Sequence, residues 1–173
     1  MIIEIMADIC DSLSQKRGSR INYIYGDSSY IREQLLELGK SKATASGKFP
    51  MIGLYVPYDE ERDSSDYFCR TSVNMIIATN TLEKYTNEQR RKISFIGVLR
   101  PLYEDFIEEV RTCGRFDFGY SDIISHTYSE NYSFGRRGAL DVDGKEVGEK
   151  IDAIEIKNLE LTVKNQNCYA NRY

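Results

Sequence analysis

The residue types that could do acid–base chemistry meet around the chain's single histidine. His126 ends the run Ser121-Asp122-Ile123-Ile124-Ser125-His126. A hydrolase triad needs a nucleophile, a base and an orienting acid that the fold brings together, and neighbours on one loop do not establish that arrangement. We therefore expect His126 to be a hydrogen-bonded structural or interface residue. The alternative is a small adaptor or enzyme domain of unknown ligand that uses the Tyr-rich loop around His126.

Two short motifs resemble ligand-binding loops but lack residues that those loops need. Gly47-Lys48 suggests a phosphate-binding loop, whose pattern has Gly five residues before the second Gly and Ser or Thr after the Lys. Lys42 and Phe49 occupy those positions. The run from Asp141 to Gly144 resembles the start of a calcium loop, but the third oxygen ligand and the closing Glu are missing. A hairpin turn at Asp143-Gly144 explains these residues better.

Acidic side chains and cysteines do not assemble into a metal-binding pattern. Four acids are expected on the face of a long helix opposite its apolar stripe, without a histidine beside them: Glu104, Asp105, Glu108 and Glu109. The four cysteines are scattered without a CxxC pair, which is typical of reduced, buried thiols. The sequence thus predicts no catalytic, cofactor-binding or metal-binding residue, and a protein that is not an enzyme.

Composition and charge narrow the class of partner. The 173 residues carry 23 Lys and Arg against 27 Asp and Glu, a net charge of −4, which argues against general nucleic-acid binding. The basic run Arg90-Arg91-Lys92 fits a partner or intrahelical contact better. No apolar run approaches the roughly 18 residues of a membrane span, so we expect no membrane partner. The 13 Tyr residues suit surfaces buried against other proteins.

Hydrophobic periodicity predicts one α+β domain over residues 1–173. Its small mixed or antiparallel sheet is expected to be flanked by an N-terminal helix and a long kinked helix. The predicted strands are 21–25, 49–56, 67–81 and 151–163. The predicted helices are 2–16, a second from Ser28 or Ser29 to Gly39, and a third from the capping box at Thr86 to about Arg111. Residues 40–48 are expected to form a loop.

Three local patterns sharpen this outline. The long helix has an apolar stripe at intervals of three and four residues: Ile96, Leu99, Tyr103, Phe106 and Val110. Pro101 lacks the N–H that would bond to the carbonyl of Gly97, which predicts a kink. In the strand 67–81 apolar residues occupy both faces, which indicates a central strand. The last strand changes its alternation near Asn158, which predicts a β-bulge.

Residues 114–150 have a different texture, with glycines and aromatics but no sustained period. We interpret them as an extended aromatic arm with one hairpin, which becomes ordered against a neighbouring subunit or partner protein. Its aromatic and Arg residues are of the types that dominate buried contacts between proteins. The candidate oligomer or partner interface is Phe116, Phe118, Tyr120, Tyr128, Tyr132, Phe134, Arg136 and Arg137. The alternative is that the segment packs back on its own sheet.

Several segments in this order resemble small virion proteins of tailed phages of gut Bacteroidetes, crAss-like phages among them. The likeness covers roughly residues 20–163 and rests on the segments 21–27, 49–54, 75–79, 85–90, 99–104 and 151–161. The order of helices and strands is also similar to that of tail terminator and tail completion proteins, which have a small α/β fold and form rings in the neck or at the head-proximal end of the tail.

The resemblance implies a structural role in the virion. It implies a homo-oligomeric ring, hexamer or dodecamer, that joins the portal vertex to the tail, contacts neighbouring portal, neck or tail proteins and lines a channel for DNA. DNA would pass through without specific binding, and the protein would assemble in the host cytoplasm. The segment after Cys113 departs from the family because it is longer and more aromatic than a minimal terminator needs.

Overall fold

The computed structural model describes residues 1–39, 48–62, 68–82, 84–121, 123–132, 134 and 151–164. Its fold is α+β with a six-stranded sheet, as the sequence predicts. The strands are β1 (Asn22–Gly26), β2 (Met51–Tyr55), β3 (Glu60–Arg62), β4 (Phe68–Asn80), β5 (Thr127–Asn131) and β6 (Ile151–Lys164). The helices are α1 (Ile2–Arg17), α2 (Ser28–Gly39) and a long helix α3, which joins the segments Asn87–Arg90, Arg91–Leu99 and Arg100–Thr112.

The sheet is mostly antiparallel. Its strand order is β1-β2-β4-β6-β5, and β3 pairs with the first residues of β4. Only β1 and β2 run parallel, because α2 connects them and carries the chain back along the sheet. Strands β1 and β5 therefore form the two ends of the strand order.

Helices cover both faces of the central strands. On one face, side chains of α1 and α3 form the larger apolar core with Met75 and Ile77 of β4. On the other face, Ile76 and Ala78 pack in a smaller cluster with Ile31 of α2. Successive residues of a strand point to opposite faces, so this part of β4 has to be apolar at every position. The predicted central strand is confirmed.

The predicted bulge in the last strand is also confirmed. Lys157 and Asn158 of β6 together stand opposite Asn74 of β4, where the register between the two strands shifts. Asn158 has a φ of 53°, in the left-handed region that Asn tolerates better than most residues. Its main-chain N–H donates to Oδ1 of Asn74 at 3.0 Å. The side chain of the opposite strand thus satisfies the group that the bulge removes from the ladder.

The helix ends follow local chemistry, with one correction. Gly18 ends α1 with a φ of 60°, and Thr86 and Gln89 form the predicted capping box at the start of α3. The second helix is capped by Asp27 rather than by Ser28 or Ser29. The Oδ1 atom of Asp27 accepts from the N–H of Tyr30 at 2.8 Å, three residues on, which is the bonding pattern of an N-cap residue.

The middle segment of α3 is π-helical rather than α-helical. Its i→i+5 hydrogen bonds widen each turn, so Ser94, five positions before Leu99, lies on the buried side together with Phe95, which is four positions before Leu99. Phe95 is fully buried and Ser94 is 2% exposed, whereas Ile96, which was predicted in the apolar stripe, is 44% exposed. That position of the predicted stripe is wrong, because Phe95 and not its neighbour Ile96 occupies the core one turn before Leu99.

The π-helical segment ends two residues before Pro101, whose nitrogen has no hydrogen to donate. The N–H of Arg100 donates to the carbonyl of Phe95, five residues back. At the position where the sequence predicts a kink, the structure therefore shows a change of hydrogen-bond spacing. Such π segments are among the features that bend helices.

The chain after α3 returns to the sheet. Phe116 forms an antiparallel bridge with Val163 of β6, and residues 127–131 pair along β6 as strand β5. Phe116 and residues 127–131 of the segment predicted as an extended arm therefore pack on their own subunit, as the alternative to a free arm expects, while Tyr120 is fully exposed. The predicted turn at Asp143-Gly144 and the loop 40–47 lie outside the described residues.

Candidate assembly surfaces

Both ring nitrogens of His126 are engaged within the subunit. The Nε2 atom lies 2.6 Å from the hydroxyl oxygen of Tyr103 in α3, and Nδ1 lies 2.9 Å from the main-chain carbonyl oxygen of Ile124. Because a carbonyl oxygen only accepts, Nδ1 carries the hydrogen, and Nε2 of the neutral ring accepts from Tyr103. Burial, and then the nearby Glu104, raise the pKa of Tyr103, which keeps this hydroxyl a donor. His126 thus links the loop before β5 to α3.

A second polar group fixes the outer strand β5 against α3. The Oε1 atom of Glu130 accepts from Nε of Arg100 at 2.7 Å and from the hydroxyl of Tyr128 at 2.8 Å. The hydrogen bond from Arg100 lowers the pKa of Glu130, while burial and the bond to Glu130 raise the pKa of Tyr128. The Tyr128 ring also packs edge-on against Tyr103, with 4.9 Å between centroids. Tyr128 is therefore held in one orientation at the edge of the sheet.

A buried ion pair anchors the end of β5. Arg90 at the start of α3 is 5% exposed and Asp152 of β6 is fully buried. The Nε atom of Arg90 lies 3.3 Å from Oδ2 of Asp152, and its Nη2 donates to Oδ1 of Asp152 and to the carbonyl of Tyr132. The Tyr132 ring lies 4.2 Å from the ring of Phe95. Arg90 is thus an internal contact and does not belong to a surface patch with Arg91.

One of the four acids expected on the outer face of the long helix is buried instead. Glu109 is 8% exposed and accepts hydrogen bonds from Lys16 and, at 2.7 Å, from the hydroxyl of Ser12, both in α1. Burial raises the pKa of Glu109, but these hydrogen bonds outweigh burial and lower the pKa overall. Asp105 likewise pairs with Arg17 of α1. This part of α3 therefore contacts α1, and the prediction of an outer face is wrong for these two acids.

Four residues of the predicted interface pack on the subunit itself. Phe116 is 4% exposed within the larger core, and Phe118 and Tyr132 pack against that core. Phe134 packs against the smaller cluster under α2. These four side chains contribute to the stability of the subunit, and the contact role predicted for them stays a prediction.

The other described members of the predicted interface are exposed. Tyr120 lies entirely in solvent and Tyr128 is 38% exposed. Arg136 and Arg137 lie outside the described residues. Among the described residues of the predicted interface, the exposed ones are thus Tyr120, on a loop, and Tyr128, on strand β5.

The opposite end of the sheet carries exposed aromatics that the sequence reading did not single out. Tyr25 of β1 is 50% exposed, and Tyr30 of α2 is 47% exposed. No strand in the described part of the chain pairs with the outer side of β1 or of β5. The signal in the sequence was the Tyr23-Ile24-Tyr25 pattern, which places aromatic residues on one face of a short strand. Each end of the sheet therefore combines an open strand edge with an exposed tyrosine.

An open groove lies on the same face of the sheet as α2, beside the first half of β4 and the second half of β6. Its volume is about 970 Å³, and its lining joins β3, β4, β6 and the loop 117–125. Carboxylates of Asp59, Glu61 and Glu160 and the guanidinium of Arg70 are among the lining side chains. Within the described residues, no group of three or more His, Cys, Asp or Glu side chains is placed to hold a metal ion.

No protein-family model and no curated protein matches this chain. No helix among the described residues is long and apolar enough to cross a membrane. Within the described residues, two features of the surface bear on function: the two ends of the sheet, formed by β1 and β5, and the loop that carries Tyr120.

Proposed function

We propose that this chain is a structural subunit that assembles head to tail with copies of itself into a ring, in the head–tail connector or at the head-proximal end of the tail of a tailed phage. The observation that carries the proposal is the presence of two unlike strand edges, β1 and β5, which are open among the described residues and each carry an exposed tyrosine. A closed ring uses a heterologous interface, so every subunit must present two different and complementary surfaces.

The fold and the sequence resemblance support the same role. A mixed sheet covered by an N-terminal helix and a long helix has the arrangement implied by the similarity to tail terminator and tail completion proteins. The side chains that could have done acid–base chemistry, His126 and Glu109, are bonded within the subunit, where they hold helices against each other and against the sheet. We accordingly propose a non-enzymatic role, with portal, neck or tail proteins as neighbours of the ring.

The proposed channel accounts for the charge of the chain. A net charge of −4 per subunit, repeated around a ring, repels the phosphate backbone, which lets DNA slide past without a specific contact. Tight and strongly salt-dependent duplex binding requires several Lys or Arg contacts with phosphates. We therefore expect duplex DNA to bind weakly, with a shallow dependence on salt.

Mass photometry and cryo-electron microscopy of the purified protein test the proposal. A ring of six or twelve subunits, alone or on addition of neck and portal proteins, supports it. A protein that stays monomeric at every concentration and never joins a ring or a virion contradicts it. Duplex binding with a steep salt dependence contradicts the proposed channel but not the ring.

An adaptor that binds another protein through its Tyr-rich loop is the second candidate. The observation that favours it is the loop before β5, where Tyr120 is fully exposed and Ile123 is 71% exposed beside the groove. The same mass measurements separate the two candidates. A monomer that forms a stoichiometric complex with one host protein supports the adaptor role and contradicts the ring.

A further inference from the structure

Two rows of paired residues cross the sheet from one open edge to the other. The first row, on the face that α1 and α3 cover, is Tyr25, Leu54, Met75, Ile156 and Tyr128. The second row, on the same face, is Tyr23, Ile52, Ile77, Ile154 and Glu130. The exposed tyrosines Tyr25 and Tyr128 thus end the same row, and β1 and β5 lie at the same level of the sheet.

The directions of the strands are also compatible with pairing between copies. Strands β1 and β2 run in one direction, β4 in the opposite direction, β6 in the first direction again, and β5 opposite to β6. β5 therefore runs opposite to β1. A second copy placed beside the first in the same orientation would bring its β1 antiparallel to β5, and each of the two strands is five residues long.

The main-chain groups needed for such a pair face outward. Asn22 donates its N–H to Pro50, and Gly26 accepts from the N–H of Val56, so the alternation of a parallel ladder turns the N–H and C=O of Tyr23 and Tyr25 away from β2. On the other side, Ser125 accepts from an N–H of β6. Successive residues of an extended strand turn their main-chain groups alternately to one side and the other. Since Ser125 faces β6, the main-chain groups of Tyr128, three residues on, point away from β6.

We propose that neighbouring subunits join by pairing β5 of one copy antiparallel to β1 of the next, with Tyr128 opposite Tyr25 and Glu130 opposite Tyr23. This inference rests on the proposed ring assembly and names the interface within it. The partner is a second copy of this chain, because β1 and β5 of one subunit already agree in row, in antiparallel direction and in strand length. A cross-strand pair of aromatic residues is among the most stabilising side-chain pairs in a sheet.

Pairing of this kind also explains why the subunit has exposed strand edges. A flat edge with unpaired main-chain groups is a site for uncontrolled association, and among the described residues neither edge carries a strand that blocks it. A head-to-tail ring joins each β5 edge to a β1 edge, so neither of these two edges stays exposed in the assembly. The rigid packing of Tyr128 against Tyr103 and Glu130 presents its ring to the neighbour without a large loss of side-chain freedom.

Cysteine cross-linking tests the register directly. Tyr25→Cys and Tyr128→Cys are combined in a chain that also carries Cys113→Ser and Cys168→Ser; Cys10 and Cys69 are buried. The two new cysteines of one chain are four strand spacings apart, about 19 Å, and a disulfide requires Cα atoms within about 7 Å. A bond between them is therefore a bond between subunits.

The expected result under mild oxidation is a covalent ladder on a denaturing gel that ends at the number of subunits in the ring. The matched control pairs Tyr25→Cys with Tyr120→Cys, which is fully exposed but lies off the row, and should give no ladder. A second pair of variants compares Tyr25→Lys with Tyr120→Lys. We expect the first to shift the ring toward monomers by at least tenfold in dissociation constant and the second to leave it unchanged.

The outcomes separate this inference from the proposed function. A ring that gives no ladder beyond that of the control and tolerates Tyr25→Lys overturns the β5–β1 interface and leaves the ring role in place. A protein that remains monomeric at the highest concentration at which it is soluble, with and without neck proteins, overturns both. The ladder, together with loss of the ring in Tyr25→Lys, supports both.

Discussion

Replacing Phe95 or Ile96 by alanine tests which of these two adjacent side chains of α3 lies in the core. In the structure Phe95 is fully buried and Ile96 is 44% exposed. The two residues are adjacent and both large and apolar, so each serves as the control for the other. Phe95→Ala should destabilise the protein strongly, whereas Ile96→Ala should change its stability little, although the apolar spacing of the sequence favours Ile96 as the core residue.

The magnitude follows from the contacts of Phe95. Removing a buried phenylalanine costs about 3–5 kcal/mol, and the upper part of this range applies because its ring packs 4.2 Å from the ring of Tyr132, an aromatic pair worth about 0.5–1.5 kcal/mol beyond its buried area. For a chain of this length, each kcal/mol shifts Tm by about 2–4 °C. We expect Tm to fall by about 8–20 °C for Phe95→Ala and by less than about 4 °C for Ile96→Ala.

Differential scanning calorimetry or thermal denaturation followed by circular dichroism measures both shifts. Urea denaturation at 25 °C gives the free energies of unfolding and shows whether the slope with denaturant is unchanged. Equal losses for the two variants, or a larger loss for Ile96→Ala, would refute the placement of Phe95 in the core and restore Ile96 to the apolar stripe.

Three further predictions concern the polar contacts and the segment after α3. Asp152→Ala leaves the buried Arg90 guanidinium without its carboxylate and should cost about 3–5 kcal/mol in unfolding experiments; combining it with Arg90→Met should recover part of the loss, and a double variant no more stable than the single one would contradict this account. Glu109 has a lowered pKa in the folded state, so its contribution to stability is present above its ordinary pKa of 4.5 and is lost as the pH falls through the lowered value. Urea titrations should therefore show Glu109→Gln less stable than the wild type at pH 7, with a gap that closes in acid; a gap independent of pH would refute the role of the charge. Replacing 120–137 by a short Gly/Ser link removes β5 and Tyr132, which packs against the core, and should lower Tm by roughly 10 °C or more; an unchanged Tm with loss of the ring would instead restore the free arm.

Local patterns in the sequence were enough for most of the elements. The helix ends at Gly18 and Thr86 depend on residues that act on their own neighbours, which is why a sequence reading finds them. The burial of β4 on both faces and the bulge at Asn158 in β6 are likewise visible in the sequence. A strand has a period of two residues, so apolar residues at successive positions indicate burial on both faces and a break in the alternation indicates a bulge.

The sequence missed the features that depend on contacts between distant segments. Strand β5 reads Thr127-Tyr128-Ser129-Glu130-Asn131. It has no apolar alternation because β5 lies at the end of the sheet, where Tyr128 and Glu130 meet α3 through polar groups. Arg90 and Asp152 form a buried ion pair but lie 62 positions apart in the sequence, and the residues next to either one do not indicate its partner. Asp27 took the capping role from two serines because the chain turns one residue earlier than expected.

The candidate interface shows the same division. Composition identified the right kind of residue, since tyrosine combines a large apolar ring with a polar end, and it included Tyr128. It could not distinguish Tyr128 from Phe116, which lies in the subunit's own core, or from Tyr132, which packs against that core. It also did not identify Tyr25. Residue type is a property of the sequence, but the row that Tyr25 and Tyr128 end exists only once five strands are paired in register. Strand pairing between distant segments therefore decided which aromatics face solvent and which lie in the core.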